Sequence, residues 1–341
     1  MINIRERMEH YRITGLSMVA FEKGKISKED HFGVLEAGTY QKINEHTVFN
    51  ACSISKFLTS ILVMKFVEQG IVDLDEDVNE KLVSWKVPDN QLTKHKQVTL
   101  RNLLCHQSGI VDPEGSFMPV ESFKEMPSMV EIMSGTTPPY CPTSIEVTVE
   151  PESEFHYSDA GFCLIQLLIE DITQETFSHL MDDFIFKPLG MANSTFSTSL
   201  STSNMDNFAC GHDQNGALIP GKYSIYPYLA ACGIWTTPSD LTKLLLDIMN
   251  AVKGQSKIGI TTKQAKELFR SQGCKEWTGL GVFLDGTDEK LEFSSLGWGV
   301  GFQCMLVAYP YLEKGIVMMT NTDTGMHQMK GIMGEIYHAL Y

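Results

Sequence analysis

Thr47-Val48-Phe49-Asn50-Ala51-Cys52-Ser53-Ile54-Ser55-Lys56-Phe57-Leu58 opens a run that closes at Val67-Glu68-Gln69-Gly70. From Ser53 to Gln69, apolar residues fall at 54, 57, 58, 61, 62, 64 and 67, the three-and-four spacing of a helix, and Gly70 is a stop signal. Ser53 and Lys56, three apart, share one face of that helix, so a hydroxyl and an amine can meet at its mouth. Free backbone N–H groups and the positive end of the helix dipole there favour a developing oxyanion. The spacing alone decides little, because a chain with 26 Ser and 22 Lys produces Ser-x-x-Lys pairs by chance. The plainer reading of the pair is Ser53 as a helix cap and Lys56 as a solvated first-turn residue.

Upstream, Ile13–Phe21, Glu22-Lys23-Gly24-Lys25 and a second extended run toward Phe32-Gly33 read as a β-hairpin. Downstream, helices are expected over Leu100–His106 behind Thr99 as cap, Ser158–Glu175, Thr176–Phe186, Ser239–Val252 and Thr262–Arg270. Ile110–Glu154 holds seven of the thirteen prolines and lacks periodicity, which marks a long loop excursion of the kind that borders sites. The Ser/Thr-rich residues 194–203 read as a linker. Leu291–Leu296, Gly301–Tyr309 and Gly315–Thr320 look like three neighbouring antiparallel strands, and Gly325–Tyr341 like a closing helix. Strands at both ends with helices between them give an α/β (α+β) class. One antiparallel sheet is built from both chain ends and flanked by helices, with an inserted helical subdomain. Residues 1–341 then form a single unit, about 1–80 plus 230–341 being its α/β part and about 81–229 its mainly helical part.

A length of 341 residues and 43% hydrophobic content can fill a substantial core, which excludes disordered and disulfide-miniprotein classes. A formal net charge of −15 repels phosphate backbones, so nucleic acid is not an expected partner. The longest apolar run, Phe57–Val67, is broken by Thr59, Ser60 and Lys65 and is too short to span a bilayer. The eight Cys are scattered without a CxxC pair, the pattern of buried free thiols. A soluble protein is expected, cytoplasmic as the sequence stands or exported if a leader has been removed. Nothing in the sequence sets an oligomeric state.

Familiar signatures are absent: there is no GxSxG elbow and no HExxH. Gly216–Tyr223 imitates a phosphate loop, but Tyr223 replaces the Ser/Thr that would hold magnesium and Pro220 removes a donor. The segment around Ser53-Ile54-Ser55-Lys56, followed by Val67-Glu68-Gln69-Gly70 and Val72-Asp73-Leu74-Asp75-Glu76-Asp77-Val78, closely resembles the opening of the serine β-lactamase-like superfamily. That superfamily includes class C β-lactamases, low-molecular-weight penicillin-binding proteins, D-aminopeptidases and family VIII carboxylesterases. Further landmarks keep the family's order: Val98–Ile110, Phe155-His156-Tyr157-Ser158-Asp159-Ala160-Gly161-Phe162, Pro188–Phe196, Ala230–Leu241, Gly279–Val282 and Met319–Asp323. The resemblance covers nearly all of the chain.

It implies a β-lactamase/transpeptidase-like fold and a serine hydrolase that forms an acyl-enzyme on a small amide, peptide or ester without metal or cofactor. By the resemblance Ser53 is the nucleophile, Lys56 its base, and Tyr157 the relay to the leaving group. The Ser53 N–H, with one from the strand near Gly299–Phe302 that includes Gly301, forms the oxyanion hole. His106 and Ser108 turn the chain, and Cys52 packs. Trp235, Trp277, Tyr226 and Tyr228 are core or cleft aromatics. Two departures stand out. Asp159 replaces the family's Asn, and a carboxylate close to Lys56 would stabilise the ammonium and oppose its use as a base; either Asp159 is protonated, or it points away, or the proton traffic leans more on Tyr157. In the third motif, Lys/His-x-Gly, Trp298 aligns with the missing cation and offers only an indole N–H, which favours a neutral substrate. These departures support a rival reading, a catalytically weakened binding or scaffold protein that keeps the fold.

Overall fold

The two chain ends meet in one sheet. A computed structural model describes residues 2–119, 126–137, 140–198 and 207–341. Six strands pair antiparallel in the order β2-β1-β8-β7-β6-β5: β1 (Gly15–Glu22), β2 (Lys25–Gly33), β5 (Phe283–Asp285), β6 (Glu292–Gly299), β7 (Phe302–Tyr309) and β8 (Lys314–Thr320). Two short strands, β3 (Phe49–Cys52) and β4 (Ile234–Thr236), pair separately. The helices are α1 (Ile4–Tyr11), α2 (Ile54–Glu68), α3 (Val78–Lys81), α4 (Leu100–Leu104), α5 (Met129–Met133) and α6 (Asp159–Thr173). They continue as α7 (Phe177–Met181), α8 (Lys187–Leu189), α9 (Leu229–Cys232), α10 (Pro238–Val252), α11 (Thr262–Leu268) and α12 (Ile332–Leu340). No helix among the described residues is long and apolar enough to cross a membrane.

The central strands are apolar on both faces because helices cover both. Side chains alternate across a strand. Met18, Met305, Ile316 and Met318 pack under α1 and α12, whereas Leu306, Val317 and Met319 join the larger core around α2, α6 and α10. Edge strand β2 carries Lys25, Lys28, Glu29 and Asp30, charges that discourage pairing with another sheet. The hairpin, the three late strands and the helices at 54, 100, 159, 238 and 262 lie where the sequence puts them. Helix α1 was not expected, since its eight residues are too few to show a period. The closing helix starts at Ile332 rather than Gly325, after the one-turn segment Gln328–Lys330. Thr176–Phe186 holds a short α7 and then a π-turn, Asp182–Phe186. The proline-rich excursion contains α5, with 120–125 and 138–139 outside the described residues, as is 199–203 of the Ser/Thr-rich stretch.

Helix α2 is buried on nearly every side from Ile54 to Met64, the mark of a central helix. Strand β6 lies against it: the Phe293 and Phe57 rings are 5.6 Å apart, so Phe293, Ser295 and Gly297 face α2 while Leu296 faces the opposite cluster. Gly297 lets β6 also lie close on β3, because a Cβ there would stand 2.2 Å from the carbonyl oxygen of Ala51. Gly161, in the first turn of α6, is different: its Cβ would sit 3.5 Å from Leu103, an ordinary contact. Gly297→Ala is therefore expected to lower stability by about 1–3 kcal/mol in urea melts at unchanged m-value. Gly161→Ala should be neutral or gain up to about 1 kcal/mol. Equal midpoints for Gly297→Ala and the unsubstituted protein would mean that β6 does not press on Ala51.

Candidate active site

Between β3 and α2 the chain reverses within three residues. A bulge separates Asn50 from Cys52, and Cys52 takes the left-handed conformation at φ 48°. For a residue with a Cβ that costs about 1–2 kcal/mol. Neighbouring bonds hold it there: the Cys52 N–H donates to Asn50 Oδ1 (2.8 Å), and Ser55 Oγ donates to the Cys52 carbonyl (2.7 Å). The outcome is Ser53 at the mouth of α2, its N–H ahead of the first turn, where a helix has no internal acceptor. Its hydroxyl makes no capping bond to its own helix. Instead it accepts from Lys56 Nζ at 3.1 Å and lies 3.4 Å from Cys232 Sγ. The plainer reading of Ser53 as a cap does not hold.

Nor is Lys56 solvated: it is 2% exposed. Its ammonium reaches Ser53 Oγ, the Ala231 carbonyl (3.0 Å) and Asp159 Oδ1 (2.5 Å). Burial pulls its pKa down, but the charge of Asp159, reinforced by Tyr157, reverses this and holds it well above the usual lysine value. Two of its three N–H directions meet groups that only accept. The third, toward Ser53, is thus where a neutral amine would present its lone pair. Cys232 comes from α9, and burial pushes its thiol up to about 12, so it stays a neutral neighbour.

Tyr157 stands across the gap, with Lys56 Nζ 4.8 Å from its ring centroid. The residue is 42% exposed, and desolvation of its phenol, offset by Lys56 and a hydrogen bond with Ser53, pushes its pKa up to about 12. His106 sets the ring's place. The imidazole stacks on Tyr157 at 4.3 Å, and its Nδ1 accepts the Ser158 N–H at 3.1 Å. An amide can only donate, so Nδ1 carries the lone pair. Burial and the nearby Lys56 keep the ring's pKa well below the usual value, hence neutral. Asp112 fastens the start of α6, accepting from Ser158 Oγ (2.7 Å), the Asp159 N–H (2.7 Å) and the Ala160 N–H (3.1 Å). Burial, with the charge of Asp159, raises its carboxyl to about 6. Sequence reading missed Asp112, since a lone acid in an aperiodic loop gives no signal.

Ser53, Lys56 and Tyr157 line one narrow cleft, together with His106, Phe155, Phe283, Ser295 and Leu296. Trp298 is not among its lining residues. The indole is 44% exposed, and its N–H is committed to Asp323 Oδ1 at 2.8 Å, so it is not available to a ligand as the sequence reading expected. Trp298 falls on the strand face opposite Ser295 and Gly297, at the exposed end of β6, where Asp323 holds its indole. Gly299 faces Cys52 Sγ and Tyr226 Oη, and Gly301 turns into β7 at φ 81°. The Val300 N–H is bonded to Tyr226 Oη at 3.0 Å, which removes it as an oxyanion donor.

A profile of the family described as Beta-lactamase matches residues 3–333. Protein flp of Staphylococcus aureus (strain MW2) is 22% identical over 331 residues, covering 94% of this chain and 62% of flp, so the chain spans less than two thirds of that relative. The octameric penicillin-binding protein homologue from Pyrococcus abyssi superposes with a TM-score of 0.79 at 19% identity, over 99% of this chain and 76% of that one. The D-amino acid amidase from Ochrobactrum anthropi SV3 gives a TM-score of 0.74 at 22% identity, over 94% and 90%. At such identities the superpositions establish the fold.

The site's electrostatics turn on Asp159. In Asp159→Asn the Lys56 titration should move down by about 1–3 pH units, the range for loss of one close opposite charge. Lysine 13Cε shifts followed by NMR, with Lys56→Met assigning the signal, measure it. An unmoved midpoint would mean that the carboxylate does not govern the amine.

Proposed function

The chain belongs to the beta-lactamase family, and on that premise we propose that it is a serine hydrolase that forms a covalent acyl-enzyme on Ser53. The observation that carries the reading is Lys56 Nζ at 3.1 Å from Ser53 Oγ, with Tyr157 at the same cleft. Resting Lys56 is an ammonium and cannot accept a proton. Its contact with Asp159 supplies the way out: a proton passed across 2.5 Å to the carboxylate leaves a carboxylic acid and an amine whose lone pair faces it, and rotation about the Cε–Nζ bond, with N–H groups given to the Ala231 carbonyl and an Asp159 oxygen, turns that lone pair to Ser53. Ser53 oxygen then bonds to the carbonyl carbon as its proton moves to Lys56. The bond to the leaving group breaks, and Tyr157 relays the proton to the departing atom. Water attacks the acyl-enzyme along the reverse path. The Ser53 N–H at the helix mouth is one oxyanion donor.

The substrate is a small neutral ester, amide or peptide. Among the described lining residues Lys56 is the one cation, and Asp159 already neutralises it. On β6 the residue that faces the cleft two places before Gly297 is Ser295, so Ser295-Leu296-Gly297 takes the Lys/His-x-Gly frame in place of an alignment on Trp298. A hydroxyl then stands where the family's cation would. The rival reading, a catalytically weakened binding or scaffold protein, draws on the same Lys56–Asp159 contact, which stabilises the unreactive ammonium.

Fluorophosphonate and fluorescent penicillin probes separate the two. Intact mass should show one adduct on the unsubstituted protein and none on Ser53→Ala, with the label mapping to the peptide that contains Ser53. A folded protein that takes up neither probe is a scaffold. As to specificity, p-nitrophenyl butyrate should turn over faster than nitrocefin. Ser295→His should narrow that gap while Trp298→His leaves it unchanged, and the opposite pattern would restore the alignment on Trp298.

A further inference from the structure

Phe155, Trp277 and Phe283 come from separate stretches of chain and meet at the mouth of the Ser53 cleft. Ring centroids lie 4.6 Å apart for Phe155–Trp277, 6.1 Å for Trp277–Phe283 and 6.5 Å for Phe155–Phe283. Phe155 and Phe283 line the cleft itself, and Trp277, 43% exposed, extends the wall into solvent. Phe155 and Phe283 are half-buried in the cleft wall and Trp277 is exposed beside them, and an apolar wall of this kind next to a nucleophile marks a place for a ligand. The wall has a defined side. Phe155 meets the His106 ring edge-on at 5.6 Å, and His106 stacks on Tyr157, so the aromatics lie on the Tyr157 side of Ser53. Ser295 lines the same cleft. The residue is 5% exposed, and its hydroxyl is not among the buried unpartnered side-chain atoms of the described residues, so it counts as a polar group of the cleft wall. A hydroxyl on a cleft wall can donate to or accept from a polar atom of a ligand seated there.

We propose that the cleft takes esters or amides whose leaving group carries an uncharged aromatic ring, seated against Phe155, Trp277 and Phe283, with Ser295 bonded to a polar atom of that group. The assignment rests on the serine-hydrolase reading. Tyr157 gives the proton to the departing atom, so the part of the substrate beside Tyr157 is the part that leaves. For an ester the new bond is Ser53 oxygen to carbonyl carbon and the broken one is carbon to alkoxide oxygen. The proton taken from Ser53 ends on the released aryl alcohol. A carboxylate on the ring finds no free cation among the described lining residues.

Methyl butyrate and 2-phenylethyl butyrate test this, since their acyl groups are identical and their alcohols similar in acidity. The aromatic ester should have a kcat/KM about tenfold or more higher, the range for one apolar group seated against aromatic walls. In Trp277→Ala that advantage should fall to within about threefold, Trp277→Phe should keep most of it, and a para-carboxylate on the ring should abolish it. Equal kcat/KM for the two esters, or an advantage untouched by Trp277→Ala, overturns the assignment. Calorimetry on Ser53→Ala gives a readout free of turnover: 2-phenylethyl butyrate should bind about tenfold more weakly once Trp277→Ala is added. Ring-dependent binding without Ser53 acylation would end the hydrolase reading and leave the aromatic site. Ring-independent binding with Ser53 acylated would do the reverse.

Discussion

A lysine that is 2% exposed holds this site together. Burying an ammonium is tolerable only when each hydrogen finds an acceptor, and Lys56 finds them on three separate elements: Ser53 at the start of α2, Asp159 at the start of α6 and the Ala231 carbonyl of α9. These contacts draw two helix N-termini and a short helix to one point. Without the Asp159 charge the buried amine would lose its proton more readily; with it, the ammonium persists. The same pair thereby secures the architecture and sets the difficulty of the chemistry.

Around that point the chain spends local strain and hydrogen bonds on placement. Cys52 is held in a left-handed turn so that Ser53 heads α2 with its hydroxyl free of capping duty. Asp112 satisfies two N–H groups and a hydroxyl at the start of α6, where the helix dipole welcomes an anion. His106, neutral and stacked, carries the ring of Tyr157. None of these three needs to touch a substrate. Each fixes a group of the proposed machinery, which is how preorganisation is built. Glycine does the corresponding work on the sheet side, since a bare Gly297 lets β6 lie directly on the residue two before Ser53.

On the proposed reading, Asp159 and Ser295 would move the site away from recognition of anionic substrates. One carboxylate cancels the only cation of the described lining, and a hydroxyl occupies the strand position where a cation would face the cleft. On the proposed reading, the aromatic wall and the Ser295 hydroxyl make a site that would select by shape and apolar contact, with one polar bond for orientation. The chain's membership of the beta-lactamase family fixes the framework on which this happens. The selectivity lives in side chains that family membership does not determine.

Much was legible from residues alone, because it depends on local order in the chain. Period-four runs at 54–67 and 159–173, caps at Thr99 and Ser158, and the alternation and turns of 291–320 are local signals, and an ordered series of motifs tied them to one fold. Helix α1 and strands β3 to β5 escaped, being eight residues or fewer and stabilised by what they pack on. Ser53, Lys56 and Tyr157 were recognisable as motif positions. A carboxylate at 159 beside Lys56 was readable as a possibility through the motif, but whether it points at the amine or away from it was not, and neither was the commitment of the Trp298 indole to Asp323, because a side chain's partner is set by elements brought together across more than a hundred residues or by the parity of a strand. Spacing along the chain told which groups could share a helix face. Only the packing of α2, α6, α9 and β6 decided which charges meet and which rings line the cleft, since contact across space depends on how whole elements dock.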